Sequence, residues 1–257
     1  MKTLLILLLA AAPALSFAQS PFDGTWVIEQ NATVPQKPIE FSLANGTFHC
    51  TGCIITIDAN ADGLDHKVPE ADYWDTINVE ALDSHALEII AKKAGETMYT
   101  EFDAISPDGD TLTQLVKDTT ESDPVTIETR FRRLEKTPPE SHPLSGTWSA
   151  YQIHRSSNGS LIKYKCTEES FSGETPLGEK FNAKFDGKFY PVEDDAGQTL
   201  VSAKLLNANE VELTHKRKDK IVSVSRMTAD PDGKTIHVVF ENKDAGTTTT
   251  FDFHRQP

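Results

Sequence analysis

Few residues in this chain have the types and spacing that chemistry needs, and Cys50-Thr51-Gly52-Cys53 is the first such group. Two thiols at this spacing exchange disulfides when a helix N-terminus stabilises the thiolate. The flanks here read as strands, so the expectation is a structural disulfide between Cys50 and Cys53, closing a turn in an exported protein. Haem attachment would need a histidine after the second cysteine, and Ile54 stands there. His49, Cys50 and Cys53 with a fourth ligand such as His66 would make a zinc site, and that alternative stays open. Cys166 is the odd thiol, either buried and inert or paired with Cys53.

Asp58, Asn60 and Asp62 alternate like the first half of a calcium loop, with Gly63 as the turn glycine. The bidentate glutamate should fall at position 69, which is Pro69, with Glu70 one place late. A hairpin turn at Asp62-Gly63 is therefore the first reading and calcium the second. The histidines share no metal spacing. A haem-binding barrel would turn one of them inward, for which His154, His215 and His237 are candidates, although surface strand positions are commoner. No serine elbow, Gly-rich phosphate loop or persuasive pair of catalytic carboxylates stands out. Asp194-Asp195 and Glu168-Glu169 read as solvated loop charges, and Trp74 beside Tyr73 as the lining of a barrel mouth or as core. No catalytic residue, cofactor or firm metal site is assigned, and an enzyme is the less favoured reading.

The elements that must position these residues come in duplicate. Gly24-Thr25-Trp26 returns as Gly146-Thr147-Trp148, and further on Asp62-Gly63, Val68, Leu82 and Pro107-Asp108-Gly109 return as Asp186-Gly187, Val192, Leu206 and Pro231-Asp232-Gly233. Such self-similarity marks two modules. Ile39 to Leu43 alternates apolar and polar before Asn45-Gly46, a strong hairpin signal. Ala86 to Lys93 has helical propensity. Its counterpart, Glu210 to Arg217, alternates clearly, so both copies read as strand. About eight short strands per module, joined by tight turns, predict an all-β protein. The architecture expected is two tandem antiparallel up-and-down barrels, whose closure removes exposed sheet edges.

The expected divisions are a signal peptide over 1–18, a first barrel over 19–134, a Pro-rich linker over 135–144 and a second barrel over 145–257. Lys2, the apolar run from Leu4 to Ala12 and Ser16-Phe17-Ala18 form the charged, apolar and small-residue parts of the signal. Export to a periplasm or beyond the cell follows, with no transmembrane segment, since no run approaches the roughly 20 apolar residues a spanning helix requires. Residues 19–135 carry 8 Lys and Arg against 22 Asp and Glu, whereas 136–257 carry 16 against 17. A first module this acidic repels a phosphate backbone, which excludes nucleic acid as a partner.

A Gly-x-Trp opening the first strand, coupled to an arginine near the end of the last, resembles the lipocalin (calycin) barrels. In that family the arginine packs across the indole at the closed end. The resemblance implies Trp26 with Arg133 and Trp148 with Arg255, both pairs 107 residues apart. Over residues 22–255 the Asp-Gly turns and the Pro-Asp-Gly hairpins also look like exported bacterial lipocalin-like proteins of unassigned function. These motifs imply a fold. The function expected is a non-enzymatic binding protein for a small, largely apolar ligand. The alternative is an envelope protein-interaction or scaffold module with filled barrels.

Overall fold

The structure, a computed structural model, describes residues 20–28, 37–53, 56–69, 71–135 and 141–256. The expected export signal and most of the proline linker lie outside the described residues. The chain opens with β1 (Gly24–Ile28) and continues with β2 (Ile39–Ala44), β3 (Thr47–Thr51), β4 (Ile57–Asn60), β5 (Asp62–Lys67) and β6 (Thr76–Ala81). Then come β7 (Ala86–Lys93), β8 (Glu96–Ile105), β9 (Thr111–Asp118), β10 (Val125–Arg133) and β11 (Gly146–Arg155). The second half holds β12 (Leu161–Cys166), β13 (Ser170–Glu174), β14 (Lys180–Lys184), β15 (Tyr190–Pro191) and β16 (Leu200–Asn207). It ends with β17 (Glu210–Arg217), β18 (Lys220–Ala229), β19 (Thr235–Asn242) and β20 (Thr247–Arg255).

All pairings are antiparallel, and the strands form two nearly closed barrels of ten strands each rather than eight. The additional strands are short ones that follow tight turns. β3 starts directly after Asn45 and Gly46, whose positive φ angles of 52° and 76° make the hairpin turn. The doubtful segment is strand, with Leu87, Ile89 and Ala91 of β7 buried at alternate positions.

The sheets do not follow the sequence repeats. One barrel takes the order β4-β3-β2-β11-β10-β9-β8-β7-β6-β5, and the other β14-β13-β12-β1-β20-β19-β18-β17-β16-β15. The first barrel is therefore an unbroken stretch from β2 to β11, inserted between β1 and the rest of the second. The expected boundary at 135–144 separates the repeats but falls between β10 and β11, neighbouring strands of one barrel. Its last residues are core: Leu144 is 2% exposed and packs with Trp148.

The expected tryptophan–arginine pairs change partners accordingly. Trp148 lies under Arg133, 4.1 Å from guanidinium carbon to ring centre, and Trp26 under Arg255 at 4.3 Å. The pairs Trp26 with Arg133 and Trp148 with Arg255 do not form. The physical reason is strand pairing: β11 lies beside β10 and β1 beside β20, which sets Trp148 opposite Arg133 and Trp26 opposite Arg255 in the register. The closing device is otherwise the one expected. Arg133 donates to the carbonyls of Gly109, Pro143 and Ser145 at 2.6–2.7 Å. Arg255 donates to Gly233, Pro21 and Asp23. Each buried indole N–H donates four residues back, Trp26 to Phe22 at 2.8 Å and Trp148 to Leu144 at 3.0 Å.

Candidate functional site

Above this sealed base the interior of the first barrel can be followed row by row from the strand register. The lowest row is apolar: Ile105 on β8 opposes Leu112 on β9, which opposes Phe131 on β10 and then Ala150 on β11. The next is Asp103, Gln114, Thr129 and Ile153, and above it come Glu101, Val116, Ile127 and Arg155. Tyr99, Asp118 and Val125 form the row nearest the mouth. Side chains alternate across a strand, so residues in phase with buried Ile105 face inward. Phe102 and Leu115, out of phase, are 41% and 42% exposed on the outside.

Two acids thus project into a barrel interior. Asp103 is 0% exposed, and neither of its carboxylate oxygens has a hydrogen-bond partner among the described residues. The Gln114 amide donates to Glu101 Oε1 at 2.9 Å. Burial pushes the Glu101 carboxyl up to about 7, while neighbouring Asp103 and the Gln114 amide draw it back. Burial, and then the charge of Glu101, hold Asp103 well above the usual carboxylate range. Neighbouring carboxyls in so poorly solvated a space do not both ionise at neutral pH, and the pair retains a proton. Tyr99 is raised too, by burial and then by both acids. Its ring meets Trp74 edge-on at 5.4 Å, and the buried Trp74 indole N–H has no hydrogen-bond partner among the described residues. Trp74 is 4% exposed, which makes it core beside this chamber. One row above Asp103, burial lowers the Arg155 guanidinium.

The second barrel serves as an internal comparison, because it repeats the same rows. Met227 opposes Val238, which opposes Phe251, where the first barrel has Asp103, Gln114 and Thr129. Ser225, Phe240 and Thr249 stand for Glu101, Val116 and Ile127. Met227 and Val238 are 1% and 3% exposed, and an aromatic cluster of Phe22, Tyr164, Phe171 and Phe181 fills the space below. Glu101, Gln114, Val116 and Ile127 are instead only half-buried although they point inward. The upper interior is therefore less completely buried in the first barrel than in the second.

The mouths of the two barrels meet. Loop residue Asp72 pairs with Arg217 at 3.1 Å and Lys218 at 2.7 Å, and the Arg217 guanidinium lies 5.0 Å from the Tyr73 ring centre. Gly197 sits against Tyr73, and Gly178 against Glu121. Glu179, in the same junction, is pushed up to about 7 by burial and then by Asp195. Asp195, expected to be a solvated loop charge, instead accepts from the Gly197 and Thr199 amides and faces Glu179. Of the three histidines considered for an inward position, His215 takes it, lying 3.3 Å from the Ser223 hydroxyl. Burial, then Arg217, lowers it to about 4. His154 and His237 are exposed, and His237 pairs with Asp230 and Asp252.

The remaining candidates fall elsewhere. Cys50 and Cys53 form the expected disulfide, with Cα atoms 6.0 Å apart, which removes the zinc reading because neither sulfur is a thiolate. It also leaves Cys166 a half-buried free thiol, so no Cys53–Cys166 bond forms. Asp58 is taken by His49 at 2.5 Å and Asp62 by His66 at 2.8 Å, while Asn60 is exposed on β4. Among the described residues no three His, Cys, Asp or Glu side chains converge as metal ligands. Glu168 and Glu169 rim an open surface groove of about 480 Å³. Among the described residues no helix is long and apolar enough to cross a membrane.

The Glu101–Asp103 pair escaped sequence reading because either phase of β8 offers plausible inward residues. Laying Tyr99, Glu101, Asp103 and Ile105 on Ser223, Ser225, Met227 and Ala229 of the other repeat resolves the phase and exposes the pair. Comparison with family models, with curated proteins and with solved structures finds no match to this chain.

Proposed function

We propose that the chain is an exported, non-enzymatic binding protein built from lipocalin-like barrels, with the upper interior of the first barrel as its ligand chamber. The observation that carries this reading is the contrast between the two interiors. Inward-facing Glu101, Gln114, Val116 and Ile127 are all partly accessible, whereas at the matching positions of the second barrel Ser225, Val238 and Thr249 are buried and Phe240 is half-buried. Barrels of this size hold either side chains or one small ligand. The polar row at Asp103 changes the expected ligand from largely apolar to apolar with a polar end. Arg155, Tyr99 and Trp74 add further polar and aromatic lining at the open end.

Native mass spectrometry of the mature protein recovered from its own cells tests this directly. A small-molecule adduct is expected, and it should vanish from a Val116→Phe/Thr129→Phe variant that copies the second barrel's filling. Wild-type protein that carries no adduct would overturn the reading. One feature favours the alternative of an envelope interaction module: Phe102 and Leu115 are cross-strand neighbours, both exposed, on the outer face of the acidic barrel. In that case crosslinking in cells captures a protein partner through Phe102, and the filling variant behaves as wild type.

A further inference from the structure

We infer that the ligand of the first barrel is a monoamine cation with an aromatic or apolar body, whose ammonium group sits on the Glu101–Asp103 pair. This deepens the binding-protein reading and rests on it. Three observations carry the argument. Asp103 is wholly buried with both oxygens unpartnered among the described residues, although a buried carboxyl without hydrogen bonds is costly. The fold does not need it, because the matching row of the second barrel builds the same register from Met227, Val238 and Phe251. Glu101 stands on the same inner face and is still partly accessible, so the pair is reached from the mouth side.

Charge then sets the ligand's valence. Two adjacent buried carboxyls that keep one proton between them present a single negative charge on β8, while the Arg155 guanidinium faces the same interior from β11, three strands away. An ammonium group supplies one positive charge and up to three N–H donors, which matches the acceptors Asp103 leaves open. Gln114 is committed to Glu101 and orients it. Beside the acids, Tyr99 and Trp74 present aromatic surface, and the Trp74 indole N–H is a second buried group without a partner among the described residues. A ligand with an oxygen acceptor on its aromatic end meets that need as well. A divalent metal fits less well, since it requires more ligands than two acids and an amide provide.

The test uses tyramine, with tyrosol, its neutral alcohol analogue, as the control, in full-length mature protein dialysed free of adduct. Calorimetry is expected to show tyramine binding at least tenfold tighter than tyrosol. The isosteric Asp103→Asn/Glu101→Gln variant, checked for an unchanged fold by circular dichroism and thermal melting, should lose tyramine affinity by about 100-fold, the scale of a lost charge-assisted contact. Should the double variant unfold, Asp103→Met/Glu101→Ser, which copies the second barrel's own residues, takes its place with the same expected loss. Equal binding of tyramine and tyrosol, undiminished binding by the variant, or displacement of tyramine by calcium or zinc would overturn the inference. An adduct from cells that lacks a basic nitrogen also overturns it but leaves the binding-protein reading standing, whereas the absence of any adduct removes that reading itself.

Discussion

Arg133 and Arg255 each do at a barrel base what no other side chain can do at the same position. A planar guanidinium spans an indole face and gathers three carbonyls at the rim of the base, most of them partly buried. Replacing either with methionine keeps the hydrophobic stem and strands those carbonyls. Loss of about 2–4 kcal/mol of unfolding free energy in urea titrations is expected. Arg133→Lys should recover little of it, because one ammonium cannot reach three acceptors in a fan. The acid pair of the interior makes a second prediction, with a definite sign. Glu101 rises on folding from 4.5 to about 7, and Asp103 rises as well. Groups raised on folding favour the folded state while protonated, so that contribution is complete below the unfolded values and fades as pH climbs through the folded ones. An Asp103→Met/Glu101→Ser variant lacks the effect. Its stability relative to wild type should increase steadily between about pH 4.5 and 7.5 in the absence of ligand. A constant difference across that range would contradict the protonated pair.

At the level of strands, the exchange of β1 and β11 determines which pieces of the chain are self-sufficient. Residues 37–155 contain every strand of the first barrel, its disulfide and its Trp148–Arg133 closure. That fragment is expected to fold alone, with cooperative thermal unfolding and dispersed amide resonances. Residues 145–257 lack β1, whose backbone bonds both β20 and β12 and whose Trp26 fills the base. Expressed alone they should be molten or aggregated, through an open edge between β12 and β20. A peptide of residues 20–30 supplied in trans should restore near-ultraviolet dichroism. Cutting instead at the sequence boundary near 140 leaves each half without the strand it needs. Much of this fold was readable in the sequence: alternation identified the strands, Asn45-Gly46 the hairpin, and the second repeat settled β7 as strand. What was not readable is which copy of a repeated strand pairs with which sheet, because Gly24-Thr25-Trp26 and Gly146-Thr147-Trp148 are chemically equivalent and only chain connectivity tells them apart. The same equivalence hid the acids. Glu101 and Asp103 lie among outward-facing acids of similar spacing, and only burial distinguishes them.

Over the whole molecule, the two mouths meet in a junction whose charges do not balance. Asp72 neutralises itself against Arg217 and Lys218, but Glu179 and Asp195 face each other beneath Tyr73. Glu179 is raised on folding from 4.5 to about 7, so its protonated form belongs to the assembled junction. The stabilisation is full below about pH 4.5 and is lost as pH rises through 7. His215 runs the other way: lowered from 6.5 to about 4, it favours the assembled state while neutral, so its contribution is full above about pH 6.5 and is lost as pH falls from there through 4. The two contributions offset each other between about pH 4.5 and 6.5, and above that only the Glu179 loss remains, so the junction should be looser at pH 8 than at pH 6.5. Hydrogen exchange at the Gly197 and Thr199 amides, both held by Asp195, reads this directly. After correction for intrinsic rates, protection there should fall between pH 6.5 and 8 while the β9–β10 ladder stays unchanged. Glu179→Gln, which cannot ionise, should hold protection constant over the same interval. Because the loop bearing Tyr73 also leads to Trp74 beside the acid pair, a loosened junction widens the way into the first barrel. Ligand exchange should then quicken with pH in wild type and not in Glu179→Gln.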